Sequence, residues 1–398
     1  MKKGWQTKKL SEVCEKITDG THQTPTYFDD GVLFLSSRNV TSGTIDWENV
    51  KYIDDKQHGE MQRRVSPRLN DILLAKNGTT GVAAMVDRDV PFDIYVSLAL
   101  LRPLAAVRPT FLLHFINSPL AKQQFTKRLK GIGVPNLHLE EIREVEIPVP
   151  PLAEQQRIVG LLDVAFEGLA TAKANAEKNL QNARALFESH LQSVFTQRGP
   201  GWVDSTIGAE IKFIDYRGKT PVKTASGVRL ITAKNVKMGF LQETPMEFIA
   251  AASYKGWMTR GIPKMGDVLF TTEAPLANVA QLDTDEKVAF AQRIIIMQPN
   301  AAKLDSTFLK YLLLSQPVQQ RIRTKGTGAT VQGIKASLLK LIEISFPKSL
   351  DTQEQIVSKL DDLRKETQRL ARLYERKHAA LEALKKSLLH QAFTGALE

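Results

Sequence analysis

The sequence predicts an α+β chain: two mixed α/β globular domains joined by two long antiparallel coiled-coil helices with pseudo-two-fold symmetry. Three observations carry this. The 398-residue chain repeats itself once, at an offset of 195 to 198 residues. A heptad seam runs through one segment of each copy. At this length a single core has usually stopped growing, so at least two domains are expected. The boundaries read as a globular domain over 1–151, a central helix over 152–199, a second domain over 200–350 and a C-terminal helix over 351–398.

The repeat comes first because it orders everything else. Gln155, Ile158, Val159, Leu162 and Asp163 recur as Gln353, Ile356, Val357, Leu360 and Asp361. Ala185, Leu186, Ser189, Leu191, Phe195 and Thr196 recur as Ala383, Leu384, Ser387, Leu389, Phe393 and Thr394 at the same offset of 198. One fixed register at both ends means helices of equal length. The preceding segments match more loosely: Gly4-Trp5 with Gly201-Trp202, Arg38-Asn39-Val40 with Lys234-Asn235-Val236, and Lys130-Gly131 with Lys325-Gly326.

The first globular domain reads as short strands bounded by Gly, Pro and Asn turns, with Gly31–Ser36 and Asp71–Ala75 as examples. A short helix is expected near Phe111–Leu129. Pro148, Pro150 and Pro151 then make an extended exit that cannot be helical. The second domain repeats this with strands at Val228–Thr232 and Asp267–Thr271 and a helix near Phe308–Arg323. Asp351-Thr-Gln-Glu354 reads as an N-cap with its capping partner.

The central helix carries Ile158, Leu162, Ala165, Leu169, Ala172, Ala176, Leu180, Ala183, Phe187, Leu191 and Val194 on its seam. The C-terminal helix carries Ile356, Leu360, Leu363, Thr367, Leu370, Tyr374, Lys377, Leu381, Leu384, Leu388 and Gln391. At 1.5 Å per residue each is a rod of about 65 Å that must bury its stripe. Phe195-Thr196 leads within a few residues to Gly201-Trp202, so the repeat places Phe393-Thr394 near Gly4-Trp5. The two helices are therefore expected to pair antiparallel within one chain.

Composition limits the function. The single cysteine, Cys14, excludes an internal disulfide and a thiolate metal cluster and fits a reducing cytoplasm. No apolar stretch is long enough to span a bilayer, and the N-terminus lacks the apolar core of a signal peptide. No P-loop, dinucleotide fingerprint, His-Glu-x-x-His or Asn-Pro-Pro-Tyr/Phe methyltransfer motif occurs, so no covalent chemistry is expected of the chain alone. The formal charge of +11 divides unevenly: +2 over 1–151, 0 over 152–199, +8 over 200–350 and +1 over 351–398. Basic globular units on neutral helices are what DNA-reading heads on a protein-binding shaft would show.

Matched polar turns supply the candidate contacts. In the first domain they are Thr21, His22, Gln23, Arg38, Asn39, Lys76, Asn77 and Lys130. In the second they are Tyr216, Arg217, Lys219, Lys234, Asn235, Thr272 and Lys325. Arg, Lys, Gln and Asn can read base edges, while Ser, Thr and Lys can hold phosphates. Corresponding loops share a frame and differ in chemistry, as two copies reading two sequences would.

The exit Ile147-Pro-Val-Pro-Pro-Leu-Ala-Glu-Gln-Gln-Arg-Ile-Val159, its copy Phe346-Pro-Lys-Ser-Leu-Asp-Thr-Gln-Glu-Gln-Ile-Val357, the terminal Ser387-Leu-Leu-His-Gln-Ala-Phe-Thr-Gly395 and the opening Thr18-Asp-Gly-Thr-His-Gln-Thr-Pro25 together resemble the specificity subunit of a type I restriction–modification system, over essentially the whole chain. The copy departs at Lys348-Ser349, which lacks the paired prolines. The resemblance implies two target-recognition domains, each reading one half of a split site on double-stranded DNA. It implies that the helices set the spacing and dock two methyltransferase subunits, with two restriction (translocase–nuclease) subunits able to join. S-adenosylmethionine, ATP and Mg2+ would sit on those partners and no cofactor on this chain. The same architecture would also serve as a detached specificity subunit of a type II restriction–methylation enzyme, and a coiled-coil scaffold with protein-binding ends is the reading from another class.

Overall fold

The computed structural model describes residues 4–40, 43–130, 135–216, 220–328 and 332–397. The chain divides into two compact units, Met1–Glu177 with Glu375–Glu398, and Lys178–Tyr374. Each unit holds one globular domain and an end of each long helix.

In the first domain a four-stranded antiparallel sheet has the order Cys14–Asp19, Leu98–Pro103, Ile72–Ala75, Val82–Met85. A three-stranded sheet places Val32–Leu35 between antiparallel Lys51–Ile53 and parallel Phe92–Ile94. The second domain repeats both. Ile211–Asp215, Ile294–Pro299, Val268–Thr271 and Val279–Gln281 form one sheet, and Val228–Ile231 pairs with Glu247–Ile249 and Val288–Phe290 in the other.

The strands expected from sequence form, and their packing explains why they read as apolar runs instead of alternating. Along Ile72–Ala75, Ile72 and Leu74 join a core with Phe111 and Phe115. Leu73 and Ala75 face the other way, into a core with Leu35, Trp47 and Ile94. A strand buried on both faces has no polar side to alternate with.

Where one helix was expected in each domain, two form: Pro109–Ile116 and Pro119–Arg128, then Ser306–Leu314 and Gln316–Lys325. The break has a local cause. Ser118 takes an extended conformation and its hydroxyl accepts the Ala121 N–H at 3.3 Å, with Pro119 opening the next helix. Ser315 is extended at the matching place, ahead of Pro317. Proline at the first turn loses no hydrogen bond and ends whatever helix precedes it.

Each domain closes on itself before the long helix begins. Gln6–Lys9 pairs antiparallel with Glu146–Val149, and Trp202–Thr206 with Glu343–Pro347. The helices then run over Leu152–Gln197 (46 residues) and Leu350–Thr394 (45 residues). The second starts one residue before the expected cap: Ser349, not Asp351, accepts the Thr352 N–H on its hydroxyl at 3.4 Å. Asp351 falls in the first turn, where its carboxylate meets the positive end of the helix dipole.

Gln155 and Gln353 explain their own recurrence. Both are fully buried. The Gln155 amide donates to the Ala106 and Pro150 carbonyls, and its oxygen accepts the Arg108 N–H. Gln353 does the same with Lys303, Pro347 and Asp305. Each glutamine fastens the helix start to the strand exit and to the loop that begins the domain's first helix.

The helices pair antiparallel in both units. In the first, Ile158 and Leu162 share a core with Leu389, Ala392 and Phe393, and Lys173 meets Glu382 at 2.7 Å. Trp5 packs against that same core, which also holds Phe393. In the second, Leu191 and Phe195 share a core with Leu360. The central helix keeps its eleven seam positions buried or half-buried. The C-terminal helix keeps nine of its eleven: Lys377 and Leu384 are exposed, while Leu381, Leu388 and Gln391 stay half-buried and His378, Glu382, Leu389 and Ala392 also turn inward.

Candidate nucleic-acid interface

The first-domain candidates come together as one loop cluster at an end of the larger sheet. Thr21 donates its N–H to Ile94 and bridges to Tyr95. Lys76 N–H reaches Ser97 O at 3.0 Å, Leu137 N–H reaches Lys76 O at 2.9 Å, and Asn136 bridges both Asn77 and Lys130. The turn holding Arg38 joins through Ser37 N–H to the Ser97 hydroxyl at 2.9 Å. Gly20 makes the close approach: a Cβ there would lie 1.8 Å from Ile94 O.

At the centre of the cluster lies Asp19, buried. Arg64 donates to it through the guanidinium, Lys76 Nζ lies at 3.2 Å and His22 Nε2 at 3.3 Å. Burial pushes the Asp19 carboxyl up, and the hydrogen bonds from Arg64 and Lys76 outweigh it, so the net shift is downward. Lys76 is 5% exposed, and its charge is spent on Asp19. It supports the loops from inside. His22 and Gln23 are exposed and Thr21 half-buried.

The second domain closes the same frame. Thr272 N–H reaches Arg293 O at 2.9 Å, Ile334 N–H reaches Thr272 O at 2.9 Å, and Gly333 bridges Glu273 and Thr327. These repeat the bonds at 76, 97, 136 and 137. Tyr216 is buried, its hydroxyl donating to Gly261 O at 2.6 Å and accepting the Arg260 N–H at 3.1 Å. Lys234 is exposed, and Lys325 donates to Leu341 O at 3.3 Å. Arg217 and Lys219 lie outside the described residues.

Several candidates are placed inward. Asn39 Oδ1 accepts the Ser36 N–H at 2.9 Å while its amide donates to Asp46 and Asn49. Asn235 Oδ1 accepts from Thr232 N–H and Oγ1, and its amide donates to Gln242 and Pro245. Both asparagines close their own turns and present Arg38 and Lys234, each exposed, at the neighbouring position. Thr272 is buried with its hydroxyl on Arg293 O. Lys130, by contrast, is exposed and pairs with Glu141 at 2.6 Å on the surface.

Two pairs of residues escaped the sequence reading. Arg64 Nε donates to Asp19 O at 3.2 Å, and Arg260 donates to Asp215 O at 2.5 Å. They are 196 residues apart, as are the aspartates, so the repeat could have revealed both. The other pair is Glu273 and Arg293, at 2.9 Å, occupying positions that are Asn77 and Ser97 in the first domain. Among the described residues no group of three or more His, Cys, Asp or Glu side chains is placed to hold a metal. Among the described residues, too, no helix is long and apolar enough to cross a membrane.

Two copies of one loop frame, differently furnished and each in a domain followed by a long helix, define a duplicated chain with two matched loop clusters. The model of the type I restriction modification DNA specificity domain matches residues 2–180 and again 218–375. The chain belongs to that family. It is 22% identical to the putative type I restriction enzyme MjaX specificity subunit of Methanocaldococcus jannaschii, over 99% of this chain and 93% of that one. It is also 22% identical to the EcoKI specificity subunit of Escherichia coli K12, over 67% of this chain and 61% of that one. Its fold is similar to a chain from work on complex assembly and conformational transition of the type I R-M system (TM-score 0.78, 20% identity, 99% of each chain). It is similar too to the HsdS subunit from Thermoanaerobacter tengcongensis (TM-score 0.62, 21% identity, 100% of this chain and 98% of that one).

Proposed function

We propose that this chain is the sequence-specific DNA-binding subunit of a type I restriction–modification complex. Each globular domain reads one half of a bipartite site on duplex DNA, and the helices set the spacing between halves. The observation that carries this is the pair of loop clusters, closed by the same backbone bonds and lined by different side chains. A shared frame gives both heads one way of approaching the duplex, and the exchanged side chains give each its own sequence.

The chain performs no covalent step. It binds and orients DNA for two methyltransferase subunits, which bring S-adenosylmethionine, and two ATP- and Mg2+-dependent restriction subunits join for cleavage, all in the cytoplasm. Docking of two identical partners is supported by the helices. Leu186 and Leu384, 198 residues apart, are 52% and 47% exposed, one on each helix at the same place in the repeat. An exposed leucine repeated at matched positions offers one apolar contact to each of two copies of one partner.

Exchanging residues 200–350 for the equivalent domain of a relative tests the reading. Mapping of methylated adenines should show one half-site changed and the other retained; loss of both would overturn the division of labour. The scaffold reading predicts no duplex binding. A DNA reader binds with an affinity that falls steeply with salt, by about 0.9 logarithmic units per unit of log salt for each phosphate neutralised.

A further inference from the structure

Arg293 ends the three-residue connection between Val288–Phe290 and Ile294–Pro299, with φ +81°, a left-handed conformation that side-chain-bearing residues seldom adopt. Its carbonyl is fixed by the Thr272 N–H at 2.9 Å and the Thr272 hydroxyl at 3.3 Å. Its side chain is 46% exposed, and its Nε forms an ion pair with Glu273 Oε1 at 2.9 Å. Glu273 is itself held, its backbone bridging Gly333 and its Cβ 3.3 Å from where a Cβ on Gly333 would lie. Backbone and side chain of Arg293 are thus both constrained, on a loop rim, at a position where the first domain has a buried serine holding the Ser37 N–H.

The carboxylate engages the Nε edge. Among the described residues the two terminal nitrogens make no hydrogen bond. That leaves the end-on fork, which is the edge that fits the O6 and N7 acceptors of guanine in the major groove. A phosphate contact needs only charge, and a lysine would serve it equally. A guanidinium paired with a neighbouring carboxylate serves direction, at the cost of weakening the net positive charge offered to a phosphate.

We propose that Arg293 reads a guanine in the half-site of the second domain and that Glu273 is its positioning residue. The inference rests on the DNA-reading function proposed above and adds which base is read and by which atoms.

The experiment is selection of bound sequences from a randomised duplex pool by the full-length chain, with wild type, Arg293→Lys and Glu273→Gln in parallel. Wild type should select a bipartite site. Arg293→Lys should lose a guanine preference at one base pair of one half-site, about 10- to 100-fold in relative affinity, with the other half-site and the salt slope unchanged. Glu273→Gln should weaken the same preference by a smaller factor at the same base pair. If Arg293→Lys selects the wild-type sequence, or if Arg293→Ala lowers affinity evenly over all sequences with a flatter salt slope, Arg293 holds a phosphate and the inference falls. A wild-type chain that selects no sequence would overturn the DNA-reading function itself, and the inference with it.

Discussion

Position 76 in the first domain is a buried lysine braced on Asp19; the matching position in the second is Thr272, and the charges lie outside it, on Glu273 and Arg293. Around both, the backbone closes identically: 76 to 97 and 272 to 293, 137 to 76 and 334 to 272. The first domain keeps its ion pair inside the cluster, where it fixes loop shape. The second keeps one on the rim, where solvent and a ligand can reach it. One frame can therefore place its charge in support or in contact, and the choice is made by a few side chains without moving a strand.

The sharpest way to break this comparison is to remove Asp19. Asp19→Ala leaves the Lys76 ammonium buried and without its partner, which costs on the order of 3–5 kcal/mol. Asp215→Ala, at a half-buried position in a domain whose residue 272 is a threonine, leaves no buried lysine behind at that place and should cost far less. Chemical denaturation of the two variants checks it, and equal losses would mean the clusters are built alike after all.

The two glutamine fasteners should behave as equals. Gln155→Ala and Gln353→Ala each strand buried amide and carbonyl groups, for on the order of 3 kcal/mol. Hydrogen exchange should localise each loss to its own unit. A loss confined to one of them would show that the repeat hides an asymmetry at the helix starts.

The smallest effect concerns pH. His114 Nε2 meets Asp163 at 3.1 Å, and Tyr311 donates to Asp361, the same place in the repeat filled by different acids. Burial pushes His114 below its ordinary range, against the upward pull of Asp163 and with Lys385 adding to the downward one. Its contribution is therefore complete above about pH 6.5 and is lost as pH falls toward the folded value. Burial first, and then Asp361, push Tyr311 up. Its contribution is complete below about pH 10 and is lost as pH rises past it. Hydrogen exchange against pH should show the first unit loosening on the acid side and the second on the alkaline side. His114→Phe should flatten the acid limb alone.

Much of the architecture is legible in the sequence because a repeat constrains it twice. The helix starts, the strand runs and the return of Phe393 toward Trp5 follow from offsets. The split helices were legible too, in Pro119 and Pro317, had the prolines outweighed the apolar spacing. The exposure of Leu384 was not, because an apolar residue at a seam spacing reads as buried whichever way it turns. At the loop clusters, sequence finds the turns and not their orientation. Asn39 beside Arg38 reads as two polar candidates, and only the closed turn tells which points inward. Arg293 stayed hidden because its counterpart is Ser97, and a comparison that looks for likeness passes over the position where the copies differ most.

One further consequence lies in the aromatic cores. Phe393, from the second copy of the repeat, packs against Phe111 and Phe115 of the first domain, with ring centroids at 5.1 and 5.4 Å. Phe195, from the first copy, packs against Trp202 and Phe308 of the second, at 6.1 and 5.4 Å. Each domain thus completes its interior with a plug supplied by the other copy's helix. A domain arriving by recombination needs only a socket for that one ring to seat itself, so reading heads behave as interchangeable parts on a common fitting, and new specificities can be assembled from old ones without inventing a fold.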